Sequence, residues 1–196
     1  MEKIILEKTI KSHIENNFNQ YSKYLNTDIQ VFIELRYSVE EVANCLMFGL
    51  DKAAITLTNN ILARLLKLSL IYNLVGIKPV PIEKWNSAFD EANRKYGLLP
   101  LGKTIELCKK HNLILESEKV YLVDAVKKLI INGYLNADFG KMTDILTEEA
   151  EVKQKIIPPL QSIQVENFTK ANASRYFEFV FELIGNIANR LIEKGK

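Results

Sequence analysis

The chain has 196 residues, and its 26 basic and 24 acidic side chains give a formal net charge of +2. This length predicts a single domain, residues 1–196, with one sizeable core. The near-balanced charge disfavours a dedicated electrostatic nucleic-acid-binding protein, since such proteins concentrate basic residues in one patch or domain. Cys45 and Cys108 lack a C-x-x-C pattern or a His partner at ligand spacing, which disfavours a zinc site and is typical of buried thiols in a reducing cytosol.

The hydropathy pattern predicts a soluble, cytoplasmic protein that does not bind membranes. The first residues, MEKIILEKTIKSHIENN, mix acids and bases throughout and lack the basic start and unbroken apolar run of a signal peptide. The most apolar stretch, ILARLLKLSLIYNLVGI, is interrupted by Arg64, Lys67 and Asn73, so it falls short of a clean span of about 20 apolar residues.

Apolar residues recur at spacings of three and four, and only eight Gly and five Pro interrupt the chain. We therefore predict an all-α bundle of about seven to eight helices. The first helix is expected over residues 2–19, with the following buried side: Ile5, Ile10, Ile14 and Phe18. The later segment VFIELRY is expected to form an extended connector, which makes residues 1–36 a candidate N-terminal appendage.

The clearest helical signals come next in the chain. Ser38 and Glu41 have the spacing of a capping box, which predicts a helix from Ser38 to about Gly49. A long helix is predicted over residues 51–75, because apolar residues cover most of its circumference, as in a central helix contacted on several sides. Its narrow polar strip consists of Asn60, Arg64 and Lys67.

Further helices are predicted in the second half of the chain. Pro81 suits the first turn of a helix that closes at Gly97. Two more are expected over residues 103–112 and 117–132, the second with this buried face: Val120, Val123, Val126, Leu129 and Ile130. A mostly solvated helix is expected over residues 143–156. Residues 160–196 are expected to contribute a C-terminal core helix at about 172–193, with this apolar face: Phe177, Val180, Phe181, Ile184, Ile187, Ala188 and Leu191.

The two histidines, His13 and His111, limit metal and acid–base proposals. A helical di-metal carboxylate site needs Glu-x-x-His on two helices, but Ile10 and Cys108 stand three residues before the histidines. His111 follows two lysines at a predicted helix end, where a capping or surface role is favoured over catalysis. No segment has the glycine pattern of a phosphate-binding loop. We predict no metal and no cofactor.

The polar strip of the long helix is one candidate binding surface. Arg64 and Lys67 could hold an anion, although the solvated edge of a buried helix is the favoured interpretation. Aromatic residues of the last helix could line a ligand pocket, but Phe at helical spacing is more typical of a core.

Residues 101–141, LGKTIELCKKHNLILESEKVYLVDAVKKLIINGYLNADFGK, combine a short helix, a turn and a second helix that ends in a polar cluster. This order resembles the helical HEPN-like superfamily (higher eukaryotes and prokaryotes nucleotide-binding), in which a comparable helix ends in Arg-Asn-x-x-x-His. On that pattern Asn132 matches the Asn and Tyr134 matches an aromatic residue that often follows it. Ala137 and Asp138 match the small and acidic residues that often follow the His.

The two residues that the family's chemistry requires are replaced in this chain: Ile131 stands at the Arg position and Asn136 at the His position. The resemblance implies a helical bundle that dimerises, and its active members are metal-independent ribonucleases that use this Arg and His across the dimer interface. A His can exchange a proton near neutral pH and an Arg can stabilise phosphate charge, whereas an amide and an alkyl group can do neither. The resemblance therefore implies a catalytically inactive site.

We predict a non-catalytic HEPN-like protein that acts by binding or assembly. A homodimer is expected from the resemblance and from the broad apolar faces of helices 51–75 and 172–193, and a separate protein partner is a further option. Phage-defence and toxin–antitoxin settings are implied by the family alone. The candidate binding residues are Asn132, Tyr134, Asn136, Asp138, Arg64 and Lys67.

Three alternatives stay open. The polar cluster after Ile131 could be the ordinary close of a helix, because Asn and Gly are favoured at helix ends. The chain could be a divergent metal-independent ribonuclease that uses Tyr134, Lys141 or Arg64. It could also be a nucleic-acid-binding module, in which case the near-neutral charge predicts weak binding that salt abolishes.

Overall fold

The computed structural model describes residues 2–135 and 162–195, and all the regular structure in these ranges is helical. The α-helices are α1 Glu2–Tyr21, α2 Arg36–Met47, α3 Asp51–Val75, α4 Trp85–Tyr96, α5 Leu101–Lys110, α6 Glu116–Tyr121 and α7 Ser162–Lys194. Short 3-10 helices occupy Ser22–Tyr24, Ile33–Leu35 and Ile82–Lys84, and a π-helix, Leu122–Leu135, continues α6. The predicted all-α class is therefore confirmed, with seven α-helices in the described ranges.

The chain divides into two compact units, of which the first comprises residues 1–62 and 167–185. An aromatic cluster lies in its core. The ring of Tyr24 packs edge-on against the rings of Phe177 and Phe181, with 4.8 Å between centroids in each pair. Edge-to-face packing is a preferred geometry of aromatic pairs, so the 3-10 turn after α1 is anchored on α7. The single domain expected from the length stays a prediction.

A second contact that stabilises the first unit joins α1 to the C-terminal end of α2. Asn17 Nδ2 donates hydrogen bonds of 3.3 and 3.4 Å to the carbonyl oxygens of Leu46 and Met47, which are among the last carbonyls of α2. These carbonyls have no partner within their own helix. Gly49 follows with a φ of +71°, and the ring of His13 lies directly over it.

The second unit comprises residues 63–166 and 186–196. Its described part contains α4, α5, α6, the π-helix, the second half of α3 and the two ends of α7. Its buried apolar side chains include Leu65, Leu66, Leu70, Ile105, Cys108, Leu113, Ile114, Leu122, Val126, Ile187 and Leu191. The thiol of Cys108 lies 3.5 Å from the Leu66 carbonyl oxygen, which joins α5 to α3.

The buried side predicted for α1 is wrong. Ile5, Ile10 and Phe18 are 58%, 38% and 49% exposed, and Ile14 is half-buried. The physical reason is the length of the neighbouring helix. α2 has 12 residues against 20 in α1, and the turn that ends α2 meets α1 at His13. α1 therefore packs through its C-terminal half, and every residue from 3 to 12 is exposed.

α2 begins at Arg36, earlier than the capping-box position Ser38 predicts, and a 3-10 turn replaces the expected extended connector. Phe32 and Leu35 explain the difference, because both side chains are fully buried. Residues three apart point the same way on one helical turn, whereas on an extended strand they would point to opposite sides. Core burial therefore overrides the β propensity of this segment.

α3 spans the predicted residues, and α7 extends the predicted closing helix to Ser162–Lys194. By length and composition alone α3 could cross a membrane, but 56% of its most apolar stretch is buried inside the protein. The faces proposed for dimerisation are buried as well: Ile61, Leu62, Leu65, Leu66, Leu70, Phe177, Val180, Leu183, Ile184, Ile187 and Leu191. The core of the protein itself therefore uses much of these two faces, and the homodimer stays a prediction.

The segment after α5 winds differently from the prediction. After α6 the backbone continues as a π-helix, whose hydrogen bonds run from residue i to i+5. Val120 is 50% exposed, which contradicts the predicted buried face, whereas Val126 and Ile130 are buried as predicted. The side chain of Leu129, the helix expected over residues 143–156 and the prolines at 158 and 159 lie outside the described residues.

We expect Gly49→Ala to destabilise the protein by at least about 2 kcal/mol, measured by urea unfolding. Its φ is left-handed, which costs an L-residue about 1–2 kcal/mol, and a Cβ would lie 2.8 Å from two ring atoms of His13. Gly185→Ala is the control, because Gly185 is exposed within α7 and open space surrounds its Cβ position. That variant should gain about 0.5–1 kcal/mol. Shifts in the same direction for both variants would contradict this account.

Candidate functional site

The polar cluster singled out in the sequence begins at the end of the π-helix. Asn132 and Tyr134 belong to the backbone of its last turn, but their side chains lie outside the described part of the chain, as do Asn136, Asp138 and Lys141 altogether. Ile130, which precedes the cluster, is buried at 3% exposure. The backbone of the polar cluster therefore begins two residues after Ile130, a core residue of the second unit.

The two cations of the polar strip of α3, Arg64 and Lys67, lie in different environments. Lys67 is half-buried, and its Nζ donates a 2.9 Å hydrogen bond to the carbonyl oxygen of Gly97, just after the end of α4. A lysine in this position satisfies a helix-end carbonyl and favours the negative end of the helix dipole. Arg64 is exposed. Arg64 thus fits the interpretation of the strip as a solvated edge. Lys67 instead forms a hydrogen bond that links α3 to the end of α4.

The most elaborate polar arrangement in the second unit is centred on Glu118. Its Oε2 accepts hydrogen bonds from the Leu115 amide at 2.6 Å and from Arg190 Nη1 at 2.7 Å, and its Oε1 accepts from Arg190 Nη2 at 3.0 Å and from Asn186 Nδ2 at 3.2 Å. Arg190 Nη1 also donates to the Leu113 carbonyl oxygen at 2.9 Å. The side chains of Glu118 and Arg190 are 10% and 19% exposed. We call this set the Glu118 clamp.

The Glu118 clamp joins the start of α6 and the preceding turn to the end of α7. Burial by itself raises the pKa of Glu118, but the hydrogen bonds from Arg190, Leu115 and Asn186 and the charge of Arg190 outweigh it, so the pKa lies below its ordinary value. A carboxylate with four donors stays ionised and has no vacant position for a substrate proton. The clamp is therefore suited to holding the fold and poorly suited to general acid–base catalysis.

His111 lies at the end of α5 among positive charges. Burial lowers the pKa of His111, and the charges of Lys194, Lys110 and Lys95 lower it further. Lys194 Nζ donates hydrogen bonds to the His111 carbonyl oxygen and, at 3.0 Å, to Asn73 Oδ1. His111 lies at the end of α5, as predicted. The neighbouring lysines, however, disfavour a protonated imidazole ring at this position. An anion bound next to His111 would favour the protonated form of its ring.

The thiols and the remaining acid and base groups do not assemble a reactive centre in the described ranges. Burial raises the pKa of the Cys108 thiol to about 12, which disfavours the reactive thiolate. Burial also raises the pKa of Asp51, while the charges of Lys170 and His13 oppose that rise. Among residues 2–135 and 162–195, no three His, Cys, Asp or Glu side chains are grouped so that they could hold a metal ion.

Comparisons with models of known protein families, with curated proteins and with solved structures found no match to this chain. The HEPN-like resemblance therefore rests on the motif in the sequence and stays a prediction.

We expect the Glu118 clamp to make stability sensitive to acid. The pKa of Glu118 is lower in the folded protein than its ordinary value of 4.5, so its ionised form stabilises the fold above that pH, and the contribution is lost as the pH falls through the lower folded value. Glu118→Gln should cost about 1–3 kcal/mol at pH 7. It should also flatten the fall in the free energy of unfolding below about pH 5, measured by urea unfolding across a pH series.

Glu116→Gln is the matched control, because Glu116 lies on the same helix but is 65% exposed and pairs with Lys109 at the surface. An exposed pair of this kind contributes little to stability, so the control should keep the wild-type stability. If Glu118→Gln followed the same pH dependence as the wild type, the stabilising role of the carboxylate charge would be wrong.

Proposed function

We propose that the chain is a non-catalytic, HEPN-like helical protein that acts by binding or assembly in the cytoplasm and forms a homodimer. The observation that carries the proposal is the pair Ile131 and Asn136 at the positions where the resembled family has its Arg and His. An alkyl group cannot stabilise phosphate charge, and an amide cannot exchange a proton near neutral pH. The all-α class and the long central helix α3 support the same family.

The engagement of the described ionisable groups also supports a role without catalysis. Glu118 and Arg190 bind each other and the backbone, and Lys67 binds the Gly97 carbonyl. A general acid or base must reach a substrate proton directly or through one water. Glu118, Arg190 and Lys67 direct these hydrogen bonds to the protein itself, so we assign them to stabilising the fold.

The competing activity is a divergent metal-independent ribonuclease that uses Tyr134, Lys141 or Arg64. Arg64 is exposed on α3 and is therefore available to a phosphate. In this candidate a cation, Arg64 or Lys141, stabilises the phosphate charge during cleavage. Its removal should slow cleavage by roughly 100-fold or more, as for other groups that stabilise transition-state charge.

We expect the wild-type protein to leave RNA intact in the presence of a metal chelator, measured by gel electrophoresis of a labelled oligonucleotide over a range of protein concentrations. The Arg64→Ala, Lys141→Ala double variant and a Tyr134→Phe variant serve as controls for the origin of any activity. Cleavage that scales with wild-type protein and disappears in either variant would establish the ribonuclease and overturn the proposal. Cleavage of equal rate in all three preparations would point to a contaminant.

A weak nucleic-acid-binding function is the second candidate, and the lysines around His111 favour it. Lys110 and Lys95 are exposed at the ends of α5 and α4, and with Lys194 they are the charged groups that lower the pKa of His111. Such a local excess of positive charge suits a phosphodiester backbone. The small net charge of the chain limits this binding to low salt.

If this candidate is correct, a short uridine oligonucleotide should raise the pKa of His111, because phosphate charge favours the imidazolium. The measurement is an NMR titration of the histidine ring protons, in which His13 of the first unit provides the internal control. Lys110→Ala should reduce the rise, and about 0.2 M salt should abolish it. A pKa of His111 that stays unchanged at saturating oligonucleotide in low salt would exclude this surface.

A further inference from the structure

The N-terminal half of α1 is a helix surface that the described protein leaves exposed. Leu6 and Ile10 are 59% and 38% exposed, and Ile14 is half-buried. These three side chains are spaced by four residues, so they form a ridge along one side of the helix. We call this ridge the apolar row.

A row of alternating charge runs beside the apolar row. Lys3, Glu7, Lys11 and Glu15 are also spaced by four, and the ion pairs Lys3–Glu7 and Lys11–Glu15 both measure 3.8 Å. We call these residues the charged row. An open groove of about 450 Å³ follows the two rows, lined by Glu7, Ile10, Lys11, Ile14 and Glu15.

The charged row is complementary to itself when it is reversed. If a second copy of α1 lies antiparallel with the two-fold axis at the level of Thr9, Lys3 of each copy lies level with Glu15 of the other. Glu7 likewise lies level with Lys11 of the other copy. Every charge in the row then meets its opposite, whereas a symmetric parallel pair, with both helices in register, would place like charges at the same level.

The same axis also interlocks the apolar rows. In this register Leu6 of one copy falls between the levels of Ile10 and Ile14 of the other, and Ile10 falls between Leu6 and Ile10 of the other. Ridges that enter the gaps of a facing helix are the normal mode of helix packing. The pairing does not depend on the other exposed apolar residues of this segment, Ile4 and Ile5.

The exposed segment of α1 would also be stabilised as a helix by packing against another helix. Residues 3 to 12 are all exposed, yet most of the stability of helices in proteins comes from packing of one apolar face. The exposed ion pairs within α1 contribute little by comparison. A second copy would cover the apolar row over the segment from Lys3 to Glu15, about 18 Å of helix.

We infer that the segment Lys3–Glu15 of α1 is a self-association surface, on which a second copy of the chain docks its own α1 antiparallel about the level of Thr9. The inference deepens the proposed function, because it assigns a surface to the proposed assembly, but it does not use the HEPN-like resemblance. An overlap of this length belongs to the small, weak class of interfaces. The dimer is therefore in equilibrium with monomer at roughly micromolar to millimolar concentration.

Sedimentation equilibrium of the full chain at low salt tests the inference. The wild type should show a monomer–dimer equilibrium. Glu7→Lys places two lysines level in the homodimer, and Lys11→Glu places two glutamates level, so each variant alone should dimerise roughly tenfold more weakly. A mixture of the two variants restores opposite charges at every level, and it should associate as tightly as the wild type.

Exposed residues on other elements provide the controls. Lys52→Glu on α3 and Glu83→Lys in the 3-10 turn before α4 change the net charge by the same amounts, and both should retain wild-type dimerisation. Circular dichroism of each variant checks that α1 remains helical. Because the mixture uses the same two proteins that fail separately, its recovery cannot be explained by misfolding.

Each outcome decides the inference. Weakening in both single variants together with recovery in the mixture supports the antiparallel pairing. Weakening without recovery, or a wild type that stays monomeric at millimolar concentration, overturns it. A wild-type dimer that ignores both α1 variants also overturns it, while leaving the proposed assembly intact on another surface. The ribonuclease assay separately decides whether the chain is non-catalytic.

Discussion

A carboxylate removed from water must find donors and positive charge inside the protein, and Glu118 finds both within the second unit. Its four hydrogen bonds hold the amide that opens α6, and through Arg190 they also hold the Leu113 carbonyl in the preceding turn. α6 has only six residues, too few for a stable isolated helix. The Glu118 clamp therefore stabilises the start of α6, and the buried residues Leu122 and Val126 stabilise the π-helix that continues it.

Much of the fold could be predicted from the sequence, because the spacing of apolar residues indicates long helices. α3 is the clearest case, with apolar residues around most of its circumference. The errors have separate physical causes. The buried side of α1 depends on where the shorter α2 ends, and the π-helix departs from the 3.6-residue period on which the prediction was based. Neither cause is visible in the residues of the segment itself.

The candidate site was less predictable than the fold. A single sequence contains no signal that links Glu118 to Arg190, which lie 72 positions apart, or that assigns Lys67 to the Gly97 carbonyl. Arg64 was predictable as a solvated position, since the apolar residues of α3 leave a narrow strip for it. Ile131 and Asn136 were identified from the sequence alone, as the residues at the Arg and His positions of the HEPN-like pattern that the chain resembles. What binds to such a site is set by shape and charge, which residue types alone do not define.

The exposed end of α1 also bears on how the chain avoids aggregation. Ile4, Ile5 and Leu6 form a short run of apolar residues with a strong tendency to add to a β-sheet when unwound. Glu2 and Lys3 precede this run, and Glu7 and Lys8 follow it. Flanking charges of this kind act as gatekeepers, because stacking them in a fibril would bring like charges together. The residues that bracket the helix end thus protect the chain whenever that end is unwound.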